Sequence, residues 1–305
     1  MYRRHLKIIY NPYQHYSLPS RRTLKCNFHV HDPFPEDPDS FAKILKVYKE
    51  KEYAVIMNSG QQRFEDTCGL SSEIGIATLN GQEYIEKDGL LLAGIRSFIM
   101  GSPTEAVETC VSQGGFCVAC HPNLSESVCP DALTAEEIKA MDGLLGIEIL
   151  NGCVLSRQKI GQFIGDPYAC DVWDEMLSAG KKIWGFAFDD SHGMEEIDVA
   201  WTDIYAESGS LEDILVAVRE GCFCASTGLR LNRFSLVKDS LTIEAYDPYN
   251  PEAEFEYRFI GYQGAVLSDK KEKNACYTIP EGAFYIRVEV SGANGRKLWT
   301  QPIFK

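Results

Sequence analysis

Leu24-Lys25-Cys26-Asn27-Phe28-His29-Val30-His31 is a short apolar run that ends in two histidines two residues apart. A β-strand sends alternate side chains to the same face, so His29 and His31 project together from one strand end and can grip one ion. Outward from this run, to about Ser226, short apolar segments alternate with amphipathic ones, the signature of β/α units on a largely parallel sheet. Strands are expected at Leu24–Val30, Tyr53–Met57, Gly75–Thr78, Leu90–Ile95, Phe116–Ala119, Leu145–Leu150, Ile183–Phe188 and Cys222–Ala225. Helices are expected at Phe41–Lys51, where Phe41, Ile44, Leu45 and Tyr48 share a face, and at Thr104–Gln113, Ala169–Ala179 and Leu211–Glu220. Thr134 ahead of Glu136-Glu137 spells a capping box. After Gly228 the helix signals stop, and alternating segments at Leu241–Ala245, Glu254–Tyr262 and Ala283–Val290 read as antiparallel β. The expected organisation is therefore a β/α domain over 1–228, with an N-terminal extension, and a small antiparallel β-sandwich over 229–305.

The composition agrees with two domains. A chain of 305 residues, 45% hydrophobic and 24% charged, is longer than one core usually spans. A net charge of −14 repels phosphate backbones, so nucleic acid is not an expected partner and a phosphate substrate needs a local cation. No apolar run reaches membrane-spanning length, and Met1–Arg22 lacks the apolar stretch of a signal peptide; the expectation is a cytoplasmic protein. The eleven cysteines are scattered from Cys26 to Cys276 and are expected to be reduced and mostly buried. Cys117-Val118-Ala119-Cys120-His121 spells a haem-attachment pattern, but it lies in a strand-like run without an export signal, so both cysteines are read as strand residues. The aromatics Phe255, Tyr257, Phe259, Tyr262, Phe284 and Tyr285 of the C-terminal part are read as core.

Of six histidines, His29, His31, His121 and His192 fall at or just beyond expected strand ends. In a β/α barrel those ends form the catalytic face, so residues distant in sequence converge there. Asp190 and His192 repeat the two-residue spacing of His29 and His31. Imidazole with carboxylate suits Zn, Mn or Fe rather than Ca. A single strand-end histidine is more often a hydrogen-bonded surface residue than a ligand, and an isolated Glu83 or Glu148 is usually solvated; the case rests on the motifs together.

Those motifs resemble a known family, the polymerase-and-histidinol-phosphatase (PHP) domain. Asn27-Phe28-His29-Val30-His31 is similar to its His-x-His motif, Ala119-Cys120-His121-Pro122-Asn123 to its Ala-x-His-Pro segment, Gly146-Ile147-Glu148-Ile149-Leu150-Asn151 to its Gly-x-Glu-x-x-Asn strand, and Asp190-Ser191-His192 to its Asp-x-His motif. Asn11-Pro12-Tyr13, Ala225-Ser226-Thr227-Gly228 and the ending from Tyr285 to Ile303 resemble a branch that carries a C-terminal β-domain. The resemblance implies a distorted seven-stranded β/α barrel and up to three metal ions. His29, His31, Glu83 and Asp190 would hold the first, Glu83 and His121 the second, and His192 would belong to the third. The family's Thr-Asp-His is here Met57-Asn58-Ser59, and a histidine expected near Gly89-Leu90-Leu91 is missing. Glu36 or Asp37 stands where the family has an aspartate and is a candidate substitute ligand. One or two divalent ions (Zn, Mn or Fe) are therefore expected.

The implied activity is metal-assisted hydrolysis of a small anionic, phosphorylated substrate, with His121 or His192 moving protons. Arg157 and Asn151 are candidate substrate contacts, Arg157 through its planar fork, and Glu148 and Asn123 are expected to support the ligands from behind. The alternative is a PHP-like protein that binds metal or an anion without turnover.

Overall fold

The computed structural model describes residues 10–16, 21–37, 39–61, 63–84, 89–124 and 127–305, so part of the expected N-terminal extension lies outside the described residues. The chain forms two compact units. One holds Leu24–Met176 with Lys181–Thr202; the other holds Asp203–Lys305, Leu177–Gly180 and described residues before Leu24.

The first unit runs β1 (Arg22–Val30, of which the first two residues cluster with the other unit), α1 (Ser40–Glu50), β2 (Tyr53–Gln61), α2 (Cys68–Ile74), β3 (Ala77–Tyr84), β4 (Leu90–Ala93), α3 (Pro103–Ser112), β5 (Phe116–Ala119), α4 (Ala135–Ala140), β6 (Leu144–Asn151), α5 (Gly152–Lys159), α6 (Cys170–Ser178, of which the last two residues cluster with the other unit) and β7 (Trp184–Phe188). These seven strands hydrogen-bond in sequence order, and every neighbouring pair is parallel except the two that β4 makes. The unit is thus mixed α/β with a mostly parallel central sheet. Just past β7, Asp190 N donates to His29 O at 2.8 Å and His31 N donates to Ser191 O at 3.1 Å.

α1 forms where the apolar spacing predicts it. Phe41, Ile44, Leu45 and Tyr48 are buried against Val30, Tyr53, Ile56 and Ile76, and each such side chain taken from water contributes about 1.5–3 kcal/mol. The capping box at Thr134 is made, with Thr134 Oγ1 accepting from Glu137 N and Glu137 returning the bond to Thr134 N. Ser102 and Glu105 make a second at the start of α3.

β2 and β3 run four and six residues beyond their expected ends, through Asn58-Ser59-Gly60-Gln61 and Leu79-Asn80-Gly81-Gln82-Glu83-Tyr84. The two polar stretches pair in register, Asn58 with Asn80, Ser59 with Gly81 and Gln61 with Glu83. Polar residues that line a buried site carry no apolar signal, which is why hydrophobicity alone ends these strands early.

The second unit contains β8 (Trp201–Ala206), within which the chain crosses from one unit to the other, then α7 (Leu211–Glu220), β9 (Phe223–Ser226), β10 (Arg230–Val237), β11 (Ser240–Tyr246), β12 (Phe255–Ile260), β13 (Val266–Glu272), β14 (Asn274–Thr278), β15 (Tyr285–Ser291), β16 (Lys297–Thr300) and β17 (Ile303–Phe304). Its antiparallel ladders run β13-β12-β15-β16-β9 and β10-β11-β14. Residues 203–228, read in the sequence with the first domain, cluster here because β9 pairs with β16, Leu298 opposite Ser226 and Thr300 opposite Cys224. Phe255, Tyr257, Phe259 and Tyr285 are core, whereas Tyr262 and Phe284 are exposed and meet edge to face at 6.0 Å.

The eleven cysteines are free thiols, eight of them buried, and Cys117 is a β5 residue. No helix among the described residues is long and apolar enough to cross a membrane.

Candidate metal centre

Strand ends of the first unit deliver a compact group. His29 comes from β1 and His31 from just beyond it, Glu83 from β3, His121 from just past β5, Glu148 from β6 and Asp190 from just past β7; all six are buried. Asp190 Oδ1 lies 3.0 Å from both His29 Nε2 and His31 Nε2. Glu83 reaches all three histidines, with Oε1 2.9 Å from His121 Nε2 and 3.8 Å from His29 Nε2, and Oε2 3.5 Å from His31 Nε2.

Two of these residues have backbone conformations that side chains usually avoid: φ is +31° at His121 and +50° at Asp190. Such positions cost on the order of 1–3 kcal/mol and persist where surrounding bonds over-determine them. His121 N donates to Glu148 Oε2 at 2.7 Å, and the Asp190 N bond to His29 O fixes the other. Glu148 also faces His29 Nδ1 through Oε1 at 3.3 Å, which orients the ring with Nε2 toward Asp190.

Burial opposes charge on His29, but Asp190, Glu148 and Glu83 outweigh it and push its pKa up to about 9. Burial likewise opposes ionisation of Glu83, yet His121, His31 and His29 bring it down to about 2. Against the same burial, His29 and His31 hold the Asp190 carboxyl well below the usual carboxylate range. His29 Nε2, His31 Nε2 and His121 Nδ1 are buried with no hydrogen-bond partner among the described residues. Buried ring nitrogens left unbonded beside two carboxylates are the donor set a divalent ion takes, so these residues fit one. Among the described residues three groups have ligand atoms close enough to share an ion, and two of them contain His29: His29 with His31 and Asp190, and His29 with Glu83, Cys120 and His121.

His192 sits at the edge, its side chain 40% exposed. Its Nδ1 lies 2.8 Å from the Asp190 carbonyl, and its ring centroid 4.4 Å from that of His31. It also groups with Cys153 and Glu196. Arg157 on α5 donates from Nε to Glu196 Oε1 at 3.0 Å. Glu83, His121, Asp190, His192 and Arg157 line one cavity of about 170 Å³, whose other walls include Leu124, Val128 and Ile164.

Other candidates stand elsewhere. Asn151 spends its amide on two carboxylates, donating to Glu148 Oε2 and Asp190 Oδ2 at 3.0 Å each, while its Oδ1 caps α5. Asn123 donates to Tyr168 O and Asp171 Oδ1, away from the histidines. Glu36 is exposed and Asp37 pairs with Lys43 at 2.7 Å, so neither joins the cluster. Ser59 Oγ bonds both the N and the O of Val30, and Leu90 and Leu91 are buried apolar residues. Gln61, Cys153 and Glu196 carry no sequence signal for this site, and Cys120, read in the sequence as a strand residue, lies just past β5 and joins the second group. Gln61 Nε2 donates to Glu83 Oε2 at 2.6 Å from a register position that only the β2–β3 pairing reveals.

No protein-family model and no curated protein matches the sequence. Among solved structures, a two-domain protein from Bacteroides vulgatus, described as containing a predicted PHP-like metal-dependent phosphoesterase, matches at 14% identity with a TM-score of 0.55, covering 99% of each chain. PsfC from Pseudomonas syringae matches at 12% identity with a TM-score of 0.44, over 64% of this chain and 87% of its own. The chain thus has the fold of the Bacteroides vulgatus protein along its whole length, with buried His, Glu and Asp groups compatible with a metal site.

Proposed function

We propose that this protein is a metal-dependent phosphoesterase acting on a small phosphorylated metabolite. The observation that carries the reading is the pair of unbonded nitrogens, His29 Nε2 and His31 Nε2, each 3.0 Å from Asp190 Oδ1. His29, His31, Glu83 and Asp190 hold the first ion, and Glu83 with His121 offers a second position; Zn, Mn or Fe suits both. A bound divalent ion makes water ionise near neutral pH and neutralises charge on a phosphoryl oxygen. We read the seven strands as a distorted barrel, a reading supported by the isolated bridge between Val30, at the end of β1, and Ser191, just past β7.

Of the two histidines able to move a proton, His192 is the exposed one, because His121 Nε2 is engaged by Glu83. Burial lowers the His192 pKa, so the ring is neutral near pH 7; with Nδ1–H on the Asp190 carbonyl, Nε2 is left to accept a proton. Arg157, held by Glu196 at the cavity wall, is the cation for the substrate phosphate. The apolar walls and the limited volume favour a compact organic group.

A second reading, binding without turnover, is favoured by Ser59 being committed to Val30 and by Leu90 and Leu91 standing where the resemblance expects a histidine. One experiment separates them: metal analysis of protein purified without chelator, followed by phosphomonoester and phosphodiester hydrolysis with Mn, Zn and Fe. Stoichiometric metal is expected, with turnover that disappears on chelation and returns with the ion. Metal without turnover across the panel leaves the binding reading, and protein that takes up no metal sinks the enzyme reading.

A further inference from the structure

The second unit contains a cavity of about 320 Å³, larger than the 170 Å³ beside the histidine cluster and sharing no residue with it. Arg21, Arg22 and Arg233 line it, together with Tyr16, Tyr205 and Asn232. Three arginines at one cavity stand out in a chain with 44 acidic and 30 basic residues. Arg21 is anchored rather than solvated: its side chain is 9% exposed and Nη1 donates to Tyr205 O at 2.7 Å. Its Nε, however, is buried with no hydrogen-bond partner among the described residues. Tyr16 packs edge to face on Tyr205 at 4.6 Å and spends its own hydroxyl on Leu231 O.

Among the described residues, the carboxylate that meets Arg21 does so loosely. Glu207 touches Arg21 Nη2 only at 3.9 Å and is 65% exposed, while buried Asp203 has Arg230 Nε at 3.9 Å. Buried donors without acceptors are unfavourable unless a ligand or water supplies the oxygen. Arg22 and Arg233 are exposed, placed to draw an anion in. Guanidinium groups match phosphate oxygens in paired, parallel bonds.

We propose that this cavity is an anion-binding site for a small phosphorylated molecule carrying two or more negative charges. The oxygens accept from the guanidinium groups of Arg21, Arg22 and Arg233 that line it. The site does not depend on the metal reading, since it uses none of those residues.

The test is calorimetric titration of pyrophosphate into the full-length, metal-free protein at low salt, with citrate as a carboxylate of comparable charge. Saturable binding is expected, weakened at least tenfold by Arg22→Ala with Arg233→Ala, and unchanged by His29→Ala. Both arginines are exposed, so an unaltered thermal melt of the double variant shows that the fold is intact; Arg21→Ala, at a buried anchor, is the less clean probe. No saturation at millimolar pyrophosphate, binding that survives the double substitution, or binding lost with His29→Ala would overturn the site. Citrate binding as tightly as pyrophosphate, with the same arginine dependence, would overturn the phosphate assignment.

Discussion

Glu83→Gln is expected to strip the metal and lower phosphoester hydrolysis by about a thousandfold. Among the described residues, Glu83 is the one side chain in reach of His29, His31 and His121, at 3.8, 3.5 and 2.9 Å, so both proposed ion positions depend on it. Burial alone would raise its pKa, but those histidines outweigh it and bring it down to about 2, so it is ionised at any working pH, and the amide removes a full charge. A bound ion contributes several kcal/mol of transition-state stabilisation, and at about 1.36 kcal/mol per tenfold this gives roughly three orders of magnitude. Glu148→Gln supplies the contrast. Glu148 touches His29 Nδ1 and His121 N, orienting ligands without being placed to share the ion, so about a 10- to 100-fold loss is expected. Metal content per chain and kcat/KM on one phosphomonoester measure both. A Glu83→Gln protein that keeps its full metal and a near-parental rate would contradict the assignment.

The cluster was legible because strand alternation and strand ends are properties of sequence order: a histidine pair two apart, and Asp190 repeating that spacing, already name the face where they meet. The structure brings His29, His31, Glu83, His121 and Asp190 together there. Partner choice was not legible. Asn151 and Arg157 follow the β6 motif as polar residues free to face a substrate, yet Asn151 brackets Glu148 and Asp190, and Arg157 rests on Glu196 from a turn almost forty residues later. Glu36 and Asp37 have ligand chemistry but lie in an exposed turn, where Lys43 claims Asp37. β8 escaped notice because Thr202 and Asp203 interrupt its apolar pattern; both are fully buried, and Thr202 Oγ1 donates to Ala187 O. A polar residue satisfied by a distant backbone atom looks, in sequence, like one satisfied by water.

Gly146→Ala, the second large effect, is a stability result. Gly146 opens the β6 motif that ends at Asn151, and a Cβ there would sit 2.1 Å from Phe186 Cε2, 2.4 Å from Cδ2 and 3.0 Å from Trp184 O. Carbon atoms pack at about 3.5–4.0 Å, so the ring would have to move well over an ångström. It has nowhere to go: Phe186 is fully buried, stacked on Phe188 at 5.4 Å and on Phe116 at 6.4 Å. Overpacking of this kind costs about 1–3 kcal/mol, and the depth of this clash puts it at the upper end. At roughly 2–4 °C per kcal/mol for a unit of this size, the melting temperature should fall by about 6–12 °C. The clash is with ring atoms, so Phe186→Leu in the Gly146→Ala background should recover part of the loss, a favourable coupling in a double-mutant cycle. Gly146 shares its strand face with Glu148, two residues on, so a clash on that face pushes the β6 backbone back and draws Glu148 away from His29. Metal affinity should therefore fall with stability in Gly146→Ala and recover with it in the double variant; a melting temperature unmoved by the added methyl would show that the β6–β7 layer is looser than these distances require.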